Sequence, residues 1–361
     1  MNEGTLKQVD KKEIYTGIDI CKLISSVLVV LLHTIETSEF YSCEVKFVIT
    51  RFAVPFFFIT SGFFFCKGLM KSDNKKSYFI KYEKNLIKIF IIWGIIIYSP
   101  FVVYEYIRSN PTASPLRIIL LLFRRIFVIG PGPFWYLVAL FWAIAFIYLL
   151  YTKKWDNKFL VFSIVFGLIL EIIYTCFRGL LSDAPGFNYF YKAVYFVFSW
   201  EYNFIMYGIP FAGIGYLIYK KNINLPKKYC VLIFVLSTLL RIFEYNLLLI
   251  IKSETFWQNN SISIFFIVQA VSFFLFAKQW KPKISAERSL TIRQLSSFIY
   301  FLHAIVLYNI IDDIIGKHIS WPIFSPAFIA PKWIVTLLIC FLVFLIIKKI
   351  NNKYLNVLIN A

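Results

Sequence analysis

Acidic residues are scarce in this chain of 361 residues: 19 Asp and Glu stand against 38 Lys and Arg, and charged residues of both signs make up only 16%. Soluble domains carry about 25%, so a soluble globular fold is excluded before any motif is considered. Histidine is scarcer still, with three in the whole chain, and the six cysteines (Cys21, Cys43, Cys66, Cys176, Cys230 and Cys340) form no CxxC pair. Their scatter has no metal-ligand spacing and excludes a zinc or redox motif; they read as small buried hydrophobes, and no metal is expected. Internal repeats are absent, and so is a polar stretch at either end long enough for a soluble domain.

What is present is apolar: 60% of the residues are hydrophobic and 20% aromatic. At about 20 residues per membrane span, ten helices are expected near 18–36, 46–66, 86–107, 133–151, 158–177, 190–219, 229–251, 260–278, 294–312 and 331–348. The fold class is therefore all-α, a polytopic transmembrane bundle. The sixth stretch is too long for one straight span; Gly208, Pro210, Gly213 and Gly215 mark a break or tilt, with 190–200 a separate outer segment. A net charge of +19 in a soluble protein would suggest nucleic acid. Here the lysines flank the spans, as membrane topology requires, and no nucleic-acid partner is expected.

Alternate connections sort by charge. Segments 67–88, 153–158, 220–228 and 278–293 and the C-terminal tail are rich in Lys and Arg, whereas Glu36, Glu39 and Glu44 follow the first span and Asp312 and Asp313 the ninth. The positive-inside rule then puts both termini in the cytoplasm of a bacterial plasma membrane. Residues 1–16 (MNEGTLKQVDKKEIYT) read as a cytoplasmic tail rather than a cleaved leader, 17–350 as one membrane domain, and 351–361 as a second tail. Residues 108–132 break the pattern, with Arg108, Arg117, Arg124 and Arg125 on the acidic side. They form either an interfacial amphipathic helix or a segment folded back into the bundle.

The first span carries Lys22 and His33. Eleven residues at about 100° each come close to three full turns, so both side chains share one face, roughly 16 Å apart along the axis. A cation near one end and an acid/base deep within one membrane helix are both costly in lipid, which makes function the default reading.

The Lys22-x10-His33 pattern is followed by RFAVPFFFITSGFFF at 51–65, PFWYLVALFWAIAF at 133–146 and LSSFIYFLHAIVLY at 295–308. In this order the four motifs resemble the acyltransferase-3 family of membrane acyltransferases, over most of the chain. The resemblance implies acyl transfer from a cytoplasmic donor, acetyl-CoA or another acyl-CoA, to a hydroxyl of an envelope glycan or lipid-linked sugar. By carry-over His33 resembles the catalytic histidine and Lys22 the donor-binding cation. Lys22 stands where the family more often has Arg, and Lys84 and Lys88 where a basic pair precedes the third helix; lysine still binds phosphate as a point charge. The family also includes the membrane domain of vancomycin-resistance serine racemases, linked to serine uptake, and HTIET and PFFFITSGFFF resemble that branch equally.

Transfer from a thioester to a hydroxyl needs a base and donors for the developing oxyanion. His33 suits the first by its pKa range, and the rise from Lys22 matches an extended pantetheine arm. Against this, Lys22 can simply snorkel to headgroups and His33 be bonded within the bundle. Glu36 either orients His33 or sits in the interface; Arg51 either holds acceptor or oxyanion or anchors the helix. Trp135 and Tyr136 wall a substrate site or belong to the aromatic belt. Tyr300 and His303, one turn apart, are substrate-binding or structural. Ser61–Gly62 reads as a close-packing position rather than a nucleophile. Arg241 and Glu244 can neutralise each other and, with Glu171 and Glu201, suggest a polar interior. Two functions compete: an O-acyltransferase, and a transporter or flippase of a small polar molecule such as serine.

Overall fold

The computed structural model describes residues 14–35, 45–109, 114–155, 157–175, 177, 181, 184–198, 202–251, 264–315 and 326–359. Among these there is no β-strand, and eight helices are long and apolar enough to cross a membrane, joined by two shorter apolar helices. In chain order they are α1 (Thr16–Thr34), α2 (Ala53–Lys71), α3 (Lys75–Ser109), the short α4 (Pro115–Phe123), α5 (Trp135–Thr152), α6 (Asn157–Thr175), α7 (Phe187–Phe198), α8 (Phe204–Lys220), α9 (Lys227–Ile251), α10 (Ile264–Gln279), α11 (Ala286–Asp312) and α12 (Ile329–Ile350). The expected sixth span is two helices, α7 and α8, parted before Asn203, whose side-chain oxygen accepts from the N–H groups of Ile205 and Met206 and caps the second.

One expectation is corrected. The lysine-rich segment 67–88 is not a connection: α2 runs to Lys71, and α3 starts at Lys75 behind Asn74, which accepts from Ser77 N–H at 2.9 Å. Charge density marked the end of the apolar stretch, but the helix continues past it because backbone hydrogen bonding does not depend on side-chain hydropathy.

Central in the bundle is α2, with 72% of its span buried against 22% for α9 and α12. Phe56, Phe58, Phe63 and Phe65 are fully enclosed. Association inside lipid rests on backbone approach rather than a hydrophobic drive, and α2 meets α8 through small residues on both sides. A Cβ on Gly62 would run into the backbone of Ala212, and one on Gly215 into the Ile59 carbonyl. Ser61–Gly62 is thus a close-packing position, as expected. The other intimate pairs are α1 with α11 and α9 with α10.

Buried polar groups tie the periphery. Arg241 donates to the Val48 carbonyl at 3.0 Å and to Gln269 Oε1 at 2.7 Å, and its guanidinium lies 4.9 Å from the Phe266 ring. Glu244 instead accepts from the Ile264 N–H, so the expected mutual neutralisation gives way to separate helix-joining bonds. At the foot of α12, Lys332 and Asp312 pair at 2.8 Å, and Trp333 donates to the Val27 carbonyl of α1. Residues 115–123 form an exposed helix with no buried side chain, followed by wide turns over Arg124–Ile129.

Replacing Gly62 with leucine is expected to cost at least about 1–3 kcal/mol by overpacking against Ala212. It should appear as a lowered thermal midpoint and loss of the monodisperse peak in detergent; an unchanged midpoint would show that α2 and α8 can separate freely.

Candidate active site

Five segments converge where α1 ends. Backbone at Ile35 turns extended, so α1 stops at Thr34 and His33 lies in its last turn, half-buried, rather than deep within the helix. Arg51 stands just before α2, after wide turns over Val45–Thr50. The Gly130–Pro131–Gly132–Pro133 turn starts α5: Gly130 and Gly132 have φ of 90° and 54°, values that side chains resist, and a Cβ on Gly132 would meet the Tyr98 ring. From α11 comes Tyr300, and from its widened end Tyr308; Tyr202 and Tyr207 come from the α8 entrance.

These residues enclose a cavity of about 190 Å³, lined by His33, Arg51, Trp135, Tyr202, Tyr300 and Tyr308 among others. Its geometry is well defined. His33 Nδ1 lies 2.9 Å from the Tyr308 hydroxyl, and the His33 and His303 rings are 5.2 Å apart. Arg51 donates to the Tyr202 hydroxyl and its guanidinium lies 5.6 Å from that ring. Tyr300 donates to the Pro133 carbonyl at 3.1 Å. Tyr136 is buried one layer below, with its hydroxyl 2.9 Å from Ser61 Oγ. Wide helical turns, which tend to gather at functional sites, flank this cavity at Val45–Thr50, Phe204–Gly208 and Ile305–Ile315.

His303 is fully buried. Its Nδ1 sits 2.7 Å from the Tyr300 carbonyl, and a carbonyl only accepts, so Nδ1 carries the proton. Nε2 is then left as an acceptor, and it has no hydrogen-bond partner among the described residues. A buried acceptor without a donor costs about 1–3 kcal/mol, a cost more readily retained where the atom has a task.

Lys22 is half-buried, and the charged groups around it are Asp19 and Arg293. Asp19 accepts from Ser289 at 2.6 Å and lies 3.6 Å from Arg293 Nε. Between Lys22 and the His33 cavity, which reaches down to Val29, Ser26 donates to the Ser296 carbonyl at 2.8 Å and joins α1 to α11. Lys84 and Lys88 are exposed side chains one turn apart on α3. Glu36, Glu201 and His318 lie outside the described residues.

The structure therefore gathers His33, Arg51, Trp135, Tyr300 and His303 around one centre, sets Tyr136 behind it, and leaves Lys22 at the far end of α1. Sequence reasoning missed Tyr202, Tyr207 and Tyr308 as lining residues and Arg293 as the neighbour of Lys22. Of these three tyrosines, in a chain of 23, only Tyr308 carried a signal, its place five residues beyond His303.

A helical membrane bundle with a histidine, an arginine and tyrosines around a small cavity defines a class of integral membrane protein with an intramembrane polar site. The acyltransferase-3 family, described as an acyltransferase domain, matches residues 15–355, and the chain belongs to it. It is also similar to two amino-acid racemases of Enterococcus faecalis. One is 29% identical over 234 residues, 61% of this chain and 29% of that protein; the other is 25% identical over 314 residues, 84% and 42% respectively. The chain thus spans less than half the length of either relative. No solved structure matches it.

His303→Phe removes an unmatched acceptor that costs about 1–3 kcal/mol and overpacks a fully enclosed site by a similar amount, so the thermal midpoint in detergent should move little. A large drop would make His303 a packing residue instead of a poised acceptor.

Proposed function

We propose that this protein is an O-acyltransferase that moves an acyl group, acetyl in the simplest case, from cytoplasmic acyl-CoA to a hydroxyl of an envelope glycan or lipid-linked sugar. The observation that carries the reading is His33, bonded to Tyr308 in a cavity it shares with Arg51, in a chain of an acyltransferase family. With Nδ1–H donating to the Tyr308 oxygen, Nε2 is the nitrogen that takes the acceptor's proton. The acceptor oxygen attacks the thioester carbonyl, the C–O bond forms, and negative charge builds on the carbonyl oxygen. Arg51 stabilises that charge. The C–S bond then breaks, and the proton on His33 passes to the CoA thiolate. The acyl ester of the acceptor and the CoA thiol then leave.

Donor binding falls to the other end of α1. Lys22 and Arg293 are cations suited to CoA phosphates, with Asp19 holding Arg293 in place, and Lys84 and Lys88 add long-range attraction. The roughly 16 Å rise from Lys22 to His33 is comparable to an extended pantetheine arm. Trp135, Tyr136, Tyr300 and His303 hold the acceptor side, and Glu36 orients the histidine. The positive-inside rule supports a reading in which the Lys22 end faces the cytoplasm.

The racemase relatives favour a second reading, passage of a small amino acid such as serine through the same cavity without acyl transfer. Calorimetry with CoA and acetyl-CoA on detergent-purified protein separates the two. Lys22→Ala should weaken binding about 10- to 100-fold, while His33→Ala retains it and lowers transfer by about 10²–10⁴. A folded wild type that ignores CoA, together with serine accumulation that survives loss of His33, would establish transport.

Tyr308→Phe removes the acceptor that fixes the His33 tautomer. Its turnover should fall about 3- to 10-fold with CoA affinity unchanged; equal loss of both would mean that Tyr308 supports the fold rather than the base.

A further inference from the structure

The His33 cavity lies beside two further cavities. Trp135 and Tyr202 form a wall it shares with a second cavity of about 400 Å³. That cavity shares Phe127, Val138 and Trp142 with a third, of about 300 Å³, bounded on its far side by the Leu86–Ile95 stretch of α3. Phe127 and Trp142 are about half exposed (47% and 49%), so the trough opens on the outside of the bundle. Its lining is almost wholly apolar; the polar exception, Asn203, has its side-chain oxygen occupied in capping α8.

Resting on the acyltransferase reading, we infer that this trough seats the hydrocarbon chain of a lipid-linked acceptor, which enters sideways from the membrane and presents its headgroup hydroxyl at His33. Adjacency to the His33 cavity across the Trp135 and Tyr202 side chains selects the occupant. A chain lying along Phe127 and Trp142 has its polar end at the one place where Arg51, the tyrosines and His33 offer hydrogen bonds. The donor's own acyl chain is a poorer fit, because its CoA is held at the Lys22 end of α1, whereas the trough adjoins the cavity at the opposite end of that helix, across Trp135 and Tyr202. Moving an alkyl chain from lipid into an apolar trough gains little free energy. The trough therefore works by shape and orientation, converting free diffusion in the plane into a held approach.

The test uses the full chain in phosphatidylcholine nanodiscs and a hexadecyl maltoside carrying a diazirine in its tail. After irradiation, labels should concentrate on peptides containing Phe127–Ile129, Trp142 and Phe204, and Val138→Trp should reduce them. Phe127→Ala/Trp142→Ala, which alters exposed positions without filling the interior, should reduce them as well. Acetyl transfer from acetyl-CoA to hexadecyl maltoside should exceed transfer to maltose by roughly tenfold or more in kcat/KM. That advantage should vanish in either variant while CoA binding is kept. Labels spread evenly over the outer faces of α9 and α12 would mean annular lipid only and would overturn the proposal, as would equal transfer to maltose. Localised labelling in a protein that neither binds CoA nor transfers acetyl would keep the trough as a lipid site but defeat the acyltransferase reading and the acceptor assignment with it.

Discussion

Once apolar helices are in lipid, no hydrophobic force draws them together, so a bundle depends on how closely its backbones can approach. In this protein that approach is made along α2. Gly62 lies against the backbone of Ala212, and Gly215 against the Ile59 carbonyl. The contact brings the α8 entrance, with Tyr202 and Tyr207, over Arg51 at the start of α2. The bond from Arg51 to Tyr202, and with it one wall of the cavity, follows from glycines well below them.

Polar groups in the bundle fall into two kinds by how fully they are satisfied. Arg241, Gln269, Asp312 and Lys332 hold helices together and are matched by carbonyls, amides or an opposite charge. Burying a charge without such partners costs several kcal/mol, which is why these sites look complete. The His33 and His303 pair differs. His33 bonds Tyr308 through Nδ1 and His303 bonds its own helix through Nδ1, and the Nε2 atom of His303 is an acceptor with no donor among the described residues. Unmatched buried polar atoms also occur at Ser25, Glu83 and Trp93, so what sets His303 apart is its place beside the His33 ring.

Much of the architecture was legible in advance because apolar length is a strict requirement in a bilayer. All ten expected spans correspond to helices, and the broken sixth appears as α7 and α8. Charge was a poorer guide to boundaries: the segment 67–88 is mostly helical, since lysines end a hydrophobic stretch without ending a helix. Periodicity put Lys22 and His33 on one face of α1, yet it did not locate the end of that helix, and His33 proves to lie in the last turn. The expected Arg241–Glu244 pairing failed for a related reason. Sequence spacing brings two side chains within reach but does not reveal a better partner on another helix, here Gln269 and the Val48 carbonyl.

Of the site, the residues in ordered motifs were visible: His33, Arg51, Trp135, Tyr300 and His303. Tyr202, Tyr207 and Arg293 were not, because in a chain with 20% aromatic residues another tyrosine carries no signal, and a basic residue beside a span is already explained by topology. By itself the sequence determined that the chain is a membrane bundle of the acyltransferase-3 type, with its rare polar residues on named helices. Only the tertiary structure decided which of those residues meet, that α2 is central while α9 and α12, at least as apolar, face outward, and that three cavities lie side by side beside His33. The physical reason is that lipid and protein interior are alike to an apolar side chain, so hydropathy fixes the spans and leaves their arrangement to packing.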